Sequence, residues 1–110
     1  MSRQTTKNEI LKYDLLVEFF HEHKGAENFV TANEVADFLA KNGFPIKQRS
    51  VNSLITNLKK QRYIPICYIR RKGYFWARTK AEILSTINDM QMMINSLQEH
   101  IDLLREFIID

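Results

Sequence analysis

The sequence predicts a mostly α fold with a small β-hairpin (α+β): a helical domain that carries the hairpin, followed by one long C-terminal helix. Three observations carry that expectation. The pattern T-x-x-E occurs at Thr6 to Glu9, Thr31 to Glu34 and Thr79 to Glu82, each time just ahead of apolar residues at helical spacing. A threonine hydroxyl can accept the backbone N–H three residues on while the glutamate reaches back, so each pattern reads as a helix start. Two runs rich in β-formers flank Arg70-Arg71-Lys72-Gly73, which reads as a hairpin. From Lys80 to the last residue there is no glycine or proline, and apolar residues recur without interruption.

Taken in order, residues 1–7 form a basic arm, residues 8–78 a domain and residues 79–110 the C-terminal helix. The first helix is expected over Lys7–His23, with Ile10, Tyr13, Leu16, Val17 and Phe20 on one face. Leu11, Leu15 and Phe19 widen that face enough for contacts on two sides, the C-terminal helix being a candidate for the second. Lys24-Gly25 ends the helix, and Phe29-Val30 reads as a short strand. The second helix is expected over Ala32–Asn42, with Val35, Phe38 and Leu39 inward. Gly43 supplies its left-handed terminus, and Pro45 turns Phe44 out of helical geometry.

The third helix is expected over Lys47–Gln61, burying Val51, Leu54, Ile55 and Leu58. At 100° per residue its opposite face carries Arg49, Asn52, Ser53, Thr56 and Lys60. That face has no acid, and arginine and asparagine are the side chains that pair bidentately with guanine and adenine edges. Strands follow at Tyr63–Ile69 and Tyr74–Ala77, with Pro65 at a strand start or edge because it has no N–H to donate.

Charge is divided along the chain. Residues 1–80 hold 15 Lys/Arg and 7 Asp/Glu, a net of +8, whereas residues 81–110 hold 1 Arg and 6 acids, a net of −5. Residues 41–80 contain 11 basic residues and no acid. Ordinary surfaces mix the signs, so a one-sign stretch of this length implies a polyanionic partner, nucleic acid first among them.

The order helix, short strand, helix, turn, helix, hairpin resembles the winged helix-turn-helix family of bacterial and phage regulators. The resemblance rests on Thr31–Asn42, Gly43-Phe44-Pro45, Lys47–Gln61 and Tyr63–Ala77. Within them, Ser50-Val51, Leu54-Ile55 and Leu58, followed by Ile64-Pro65-Ile66 and Gly73-Tyr74, look like a recognition helix running into a wing. It covers roughly residues 8–78. It implies double-stranded DNA as partner, with Lys47, Gln48, Arg49, Asn52, Ser53, Thr56 and Lys60 facing a major groove. Arg70, Arg71 and Lys72 at the hairpin tip would lie on an adjacent groove or on phosphates.

In the C-terminal helix, Ile83, Ile87, Met90, Ile94, Leu97, Ile101, Leu104 and Ile108 follow one another at spacings of 4, 3, 4, 3, 4, 3 and 4. This is a heptad seam with isoleucine at position a and mainly leucine or methionine at d, so a homodimer is expected through it. The facing pairs of a parallel dimer, Thr86–Gln91, Met93–Gln98 and His100–Arg105, include no attractive ion pair. Isoleucine at a with leucine at d favours two parallel strands, while the missing ion pairs leave antiparallel pairing or a four-helix contact open.

No enzyme is expected. The three glycines are scattered, His21 and His23 do not share a helical face, and a lone Cys67 with three histidines gives no zinc spacing, so neither cofactor nor metal is expected. Cys67 reads as a small buried strand residue. A single cysteine, no secretory signal and no apolar run of membrane length fit a cytoplasmic, nucleoid-associated protein away from membranes. The functional expectation is a dimeric transcription regulator, repressor or modulator, of phage or plasmid type. A DNA replication or recombination accessory protein and a protein-binding adaptor or inhibitor are the alternatives.

Overall fold

The computed structural model describes residues 7–108, so most of the basic arm and the Thr6 cap lie outside the described residues. The elements in order are α1 (Lys7–His21), α2 (Ala32–Lys41), α3 (Val51–Arg62), β1 (Ile66–Ile69), β2 (Gly73–Trp76) and α4 (Lys80–Glu106). Short 3₁₀ turns at Ala26–Asn28 and Gln48–Ser50 precede α2 and α3.

The helix boundaries follow from their caps. Thr31 and Thr79 both close capping boxes, each accepting the N–H of its glutamate (Glu34, Glu82) while that carboxylate accepts the threonine N–H. α2 ends as its glycine requires. Gly43 sits at φ 86°, its N–H donates to Ala40 O at 3.2 Å, and the Phe44 N–H donates to Leu39 O at 2.8 Å. This pair of bonds satisfies carbonyls that the last helical turn leaves open. α1 stops at His21, two residues short of expectation, because the His23 carbonyl turns to accept the Trp76 N–H.

The remaining boundaries depart further. Residues 48–50 form a tight turn rather than the first α-helical turn of the recognition helix. Tyr63, expected to start a strand, instead takes the left-handed position after α3 (φ 54°) and donates to Lys59 O. The strand therefore begins only after Pro65, at Ile66.

β1 and β2 pair antiparallel, with Ile66 opposite Trp76, Tyr68 opposite Tyr74 and Ile69 opposite Gly73. Val30 adds a one-residue third rung, exchanging two 2.7 Å hydrogen bonds with Tyr74. Gly73 is needed for that approach, since a Cβ there would land on the Val30 carbonyl. The left-handed residue of the hairpin tip is Arg71 (φ 67°), not the glycine.

The hairpin divides the core. One side, with Ile66 and Tyr74, packs with Tyr13, Leu16, Phe20, Val30, Val35, Leu39, Val51, Ile55 and Leu58 of the helical layer. The other side, with Cys67, Phe75 and Ala77, packs with Phe29, Ile69 and Ile83. This is the period-two alternation of a sheet covered on both faces. The second side of α1 meets α2, not the C-terminal helix: Phe19 stacks on Phe38 with centroids 4.5 Å apart. α4 packs instead on β1. Its start is fixed by Glu82, whose carboxylate accepts the N–H groups of Ala26 and Arg78, both at 2.7 Å. The Ala26 bond is the largest cause of a Glu82 pKa below the usual carboxylate value.

Candidate nucleic-acid interface

At one end of the domain, the start of α2, the 3₁₀ turn before α3 and the middle of β2 converge. Between them lies an open concavity of about 570 Å³ lined by Ala32, Lys47, Gln48, Arg49, Asn52 and Tyr74. Four of these six are residues expected to contact DNA. The tight turn at residues 48–50 carries Gln48 and Arg49 to the rim, so Arg49 stands there through a 3₁₀ turn and not through the α-helical phase expected for it. Ser53, Thr56 and Lys60 continue the exposed face along α3. Thr56 donates its hydroxyl to the Asn52 carbonyl at 3.0 Å, which leaves its oxygen free to accept.

Asn52 is held from behind. The Tyr74 hydroxyl donates to Asn52 Oδ1 at 3.3 Å, which turns the amide nitrogen away from β2. Burial, and secondarily the Tyr68 phenol, push the Tyr74 pKa up, so the hydroxyl keeps its proton at neutral pH. Tyr68 lies opposite Tyr74 with ring centroids 5.0 Å apart and remains partly exposed. An asparagine with a fixed amide and an arginine on the same rim supply the donors and acceptors that base edges require. Tyr74 and Tyr68 were not among the expected site residues. Strand alternation puts them on one face, but only the hairpin register reveals that this face is the one beside Asn52.

The three tip cations separate. Arg71 is exposed at the apex. The Lys72 ammonium sits 6.0 Å from the Phe29 ring. Arg70, also exposed, lines a concavity with Asp89, Met92, Met93 and Ser96 of α4. The reason is local: β1 lies against α4, and Arg70 is the first residue beyond that strand. Two further cations of the acid-free stretch are engaged internally. Arg62 pairs with Asp14 at 2.7 Å and donates to the Ile10 carbonyl, while Arg78 pairs with Glu27.

The residues expected in the dimer seam also separate. Ile83 belongs to the domain's own second core cluster, and Thr86 is buried. Ile87, Met90, Ile94, Leu97, Ile101, Leu104 and Ile108 are between 42% and 76% exposed. The radius of gyration, 16.9 Å, exceeds the roughly 13 Å of a globular chain of this length, which is the signature of a helix that projects.

Among the described residues, no group of three His, Cys, Asp or Glu is placed to hold a metal ion, and no helix is long and apolar enough to cross a membrane. Cys67 is buried. Comparison with known proteins finds no matching family model, no matching curated protein and no matching solved structure.

Proposed function

We propose that this chain binds double-stranded DNA as a winged helix-turn-helix protein and acts as a dimeric transcription regulator. The observation that carries the reading is the convergence of Lys47, Gln48, Arg49 and Asn52 on one concavity, with Tyr74 orienting the asparagine. Supporting it are the acid-free run of residues 41–80 and the order of α1, the Val30 rung, α2, α3 and a hairpin. On this reading α3 and the turn before it enter a major groove. Arg49 and Asn52 read base edges, and Lys47, Lys60 and Arg71 hold phosphates. The exposed seam of α4 joins two copies, so that two weak readers act as one. A protein of this kind regulates by occupying its site and by the concentration at which it pairs.

The test is selection of bound duplexes from a random-sequence library by the full chain, followed by gel shifts of the recovered sequence against random DNA. A recovered motif bound on the order of a thousandfold or more tighter than random DNA is expected of a specific reader. Failure to retain any duplex at low salt contradicts the proposal.

A further inference from the structure

Resting on the dimer reading above, we infer that two copies pair antiparallel through α4. In that arrangement the C-terminal turn of each helix seats on the Tyr63-Ile64-Pro65 connector of the other copy. The argument begins with which side of α4 the domain occupies. Ile83, Thr86, Ile87 and Met90 all line α4's contact with its own domain, and a groove of about 190 Å³ remains there against Ile64 and Pro65. At 100° per residue these positions span the same arc as Ile94, Leu97, Ile101 and Leu104. The seam and the domain are therefore on one face of the helix. In a parallel pair both domains would sit at the same end and on the side facing the two-fold axis. Each would occupy the space of its partner. In an antiparallel pair the domains lie at opposite ends, and each meets only the far end of the other helix.

The register follows from the residues. Antiparallel coils set position a of one helix against d of the other. With Leu104 set on the second copy's Ile94, Ile101 falls on Leu97, and Ile108, in the turn just past α4, comes beside Met90. This is the deepest overlap that leaves Ile83 and Thr86 in their own domain.

Charge agrees with this choice. Residues 81–110 carry a net −5, with Asp102 and Glu106 near the helix end, and the negative end of the helix dipole adds to them. A parallel pair would place two such ends side by side, whereas the antiparallel pair brings each to Lys59 at the groove rim. Tyr63 gives an independent sign. It holds a left-handed conformation that glycine would adopt without strain, yet it presents an aromatic ring that is 96% exposed beside Ile64 and Pro65. A strained, fully exposed aromatic at the mouth of an apolar groove is what a contact lip requires. The seven seam side chains from Ile87 to Ile108, 42–76% exposed, supply surface of the order of the 800 Å² per partner found in stable interfaces. The two domain anchors, at residue 86 of each helix, would then stand about 40 Å apart at 1.5 Å per residue.

The test uses full-length protein in a Cys67→Ser background carrying Met90→Cys, Ile108→Cys or both, oxidised after sedimentation has established the assembly state. The expected result is a cross-linked dimer in the double variant and none in either single variant. Cross-linking by the single variants means a parallel pair and overturns the inference, as does a sedimenting dimer whose double variant fails to cross-link. A monomer in sedimentation instead removes the dimer reading on which the inference rests. Tyr63→Gly provides a second measure: the folded monomer should gain stability while the dimer dissociation constant rises about tenfold. An unchanged dissociation constant would remove the connector from the interface.

Discussion

The apolar side chains of residues 13–77 and those of residues 87–108 have opposite surroundings. In the first region Leu16, Phe20, Leu39 and Leu58 are wholly inaccessible, and the hairpin is covered on both faces. In the second, isoleucines and leucines of the same character stand in solvent on a helix that projects from the domain. The hydrophobicity of these side chains does not separate the regions; topology does. The first region brings three helices around one hairpin, whereas the second is a single element whose apolar face has no second layer among the described residues. Burial in the first region specifies a domain, and exposure in the second leaves a face open for the proposed pairing.

The comparison breaks most readily at its packed side. Phe20→Ala removes a fully buried aromatic and should destabilise the domain by about 3–5 kcal/mol, whereas Leu97→Ala should change monomer stability by less than about 0.5 kcal/mol. Denaturant unfolding of both variants, at protein concentrations below dimer dissociation, would measure the contrast. Comparable losses would mean that α4 is covered by its own domain.

Next in size is the assembly. Ile94→Asp with Ile101→Asp should abolish dimers in sedimentation while leaving the circular dichroism of the N-terminal domain intact. Affinity for a two-site duplex should fall by about 10²-fold or more as avidity is lost. A variant that still dimerises would place the interface elsewhere.

The DNA face comes third. Arg49→Ala and Asn52→Ala should each weaken a selected site by about 1–3 kcal/mol and random DNA far less, while Arg71→Ala weakens both alike. Tyr74→Phe, which removes only the hydroxyl that holds Asn52, should reproduce part of the Asn52→Ala loss at the adenine position without changing the salt dependence. Equal losses on both DNAs for Arg49→Ala and Asn52→Ala would take base reading away from this rim.

The smallest effect lies at the joint between the two regions. Glu82 has a folded pKa below its unfolded value, chiefly because the Ala26 N–H donates to its carboxylate. Its contribution is therefore present above the unfolded value and disappears as pH falls through the folded one. The protection factor of the Ala26 amide, taken against the intrinsic exchange rate at each pH, should fall on acidification through that window in the wild type. In Glu82→Gln, whose side chain does not titrate, the protection factor should show no such step. A step that persists in the variant would assign it to another carboxylate.

What the sequence made legible divides along the same line. The capping boxes at Thr31 and Thr79, the Gly43 terminus and the buried stripes of α2 and α3 are local, and they were readable because neighbouring residues determine them. The placement of Arg70 against α4 and the pairing of Tyr74 with Asn52 were not, since both depend on how the hairpin sits between α3 and α4. The seam shows both cases at once. Its period was plain, but Ile83 continues it unbroken while belonging to the domain core, because the first turns of α4 cover the second face of the hairpin. A heptad pattern does not say which of its members meets a partner and which meets its own chain.

The central claim is that a cationic face around α3 and the hairpin tip binds duplex DNA, and the salt dependence of that binding tests it most directly. Lys47, Lys60 and Arg71, the proposed phosphate contacts, are all exposed. If each neutralises one phosphate, log K should fall against log salt with a slope of about −3 per bound copy, and about twice that for a dimer on a two-site duplex. A slope near zero across a several-fold rise in salt, or no duplex binding at the lowest salt, would contradict the account.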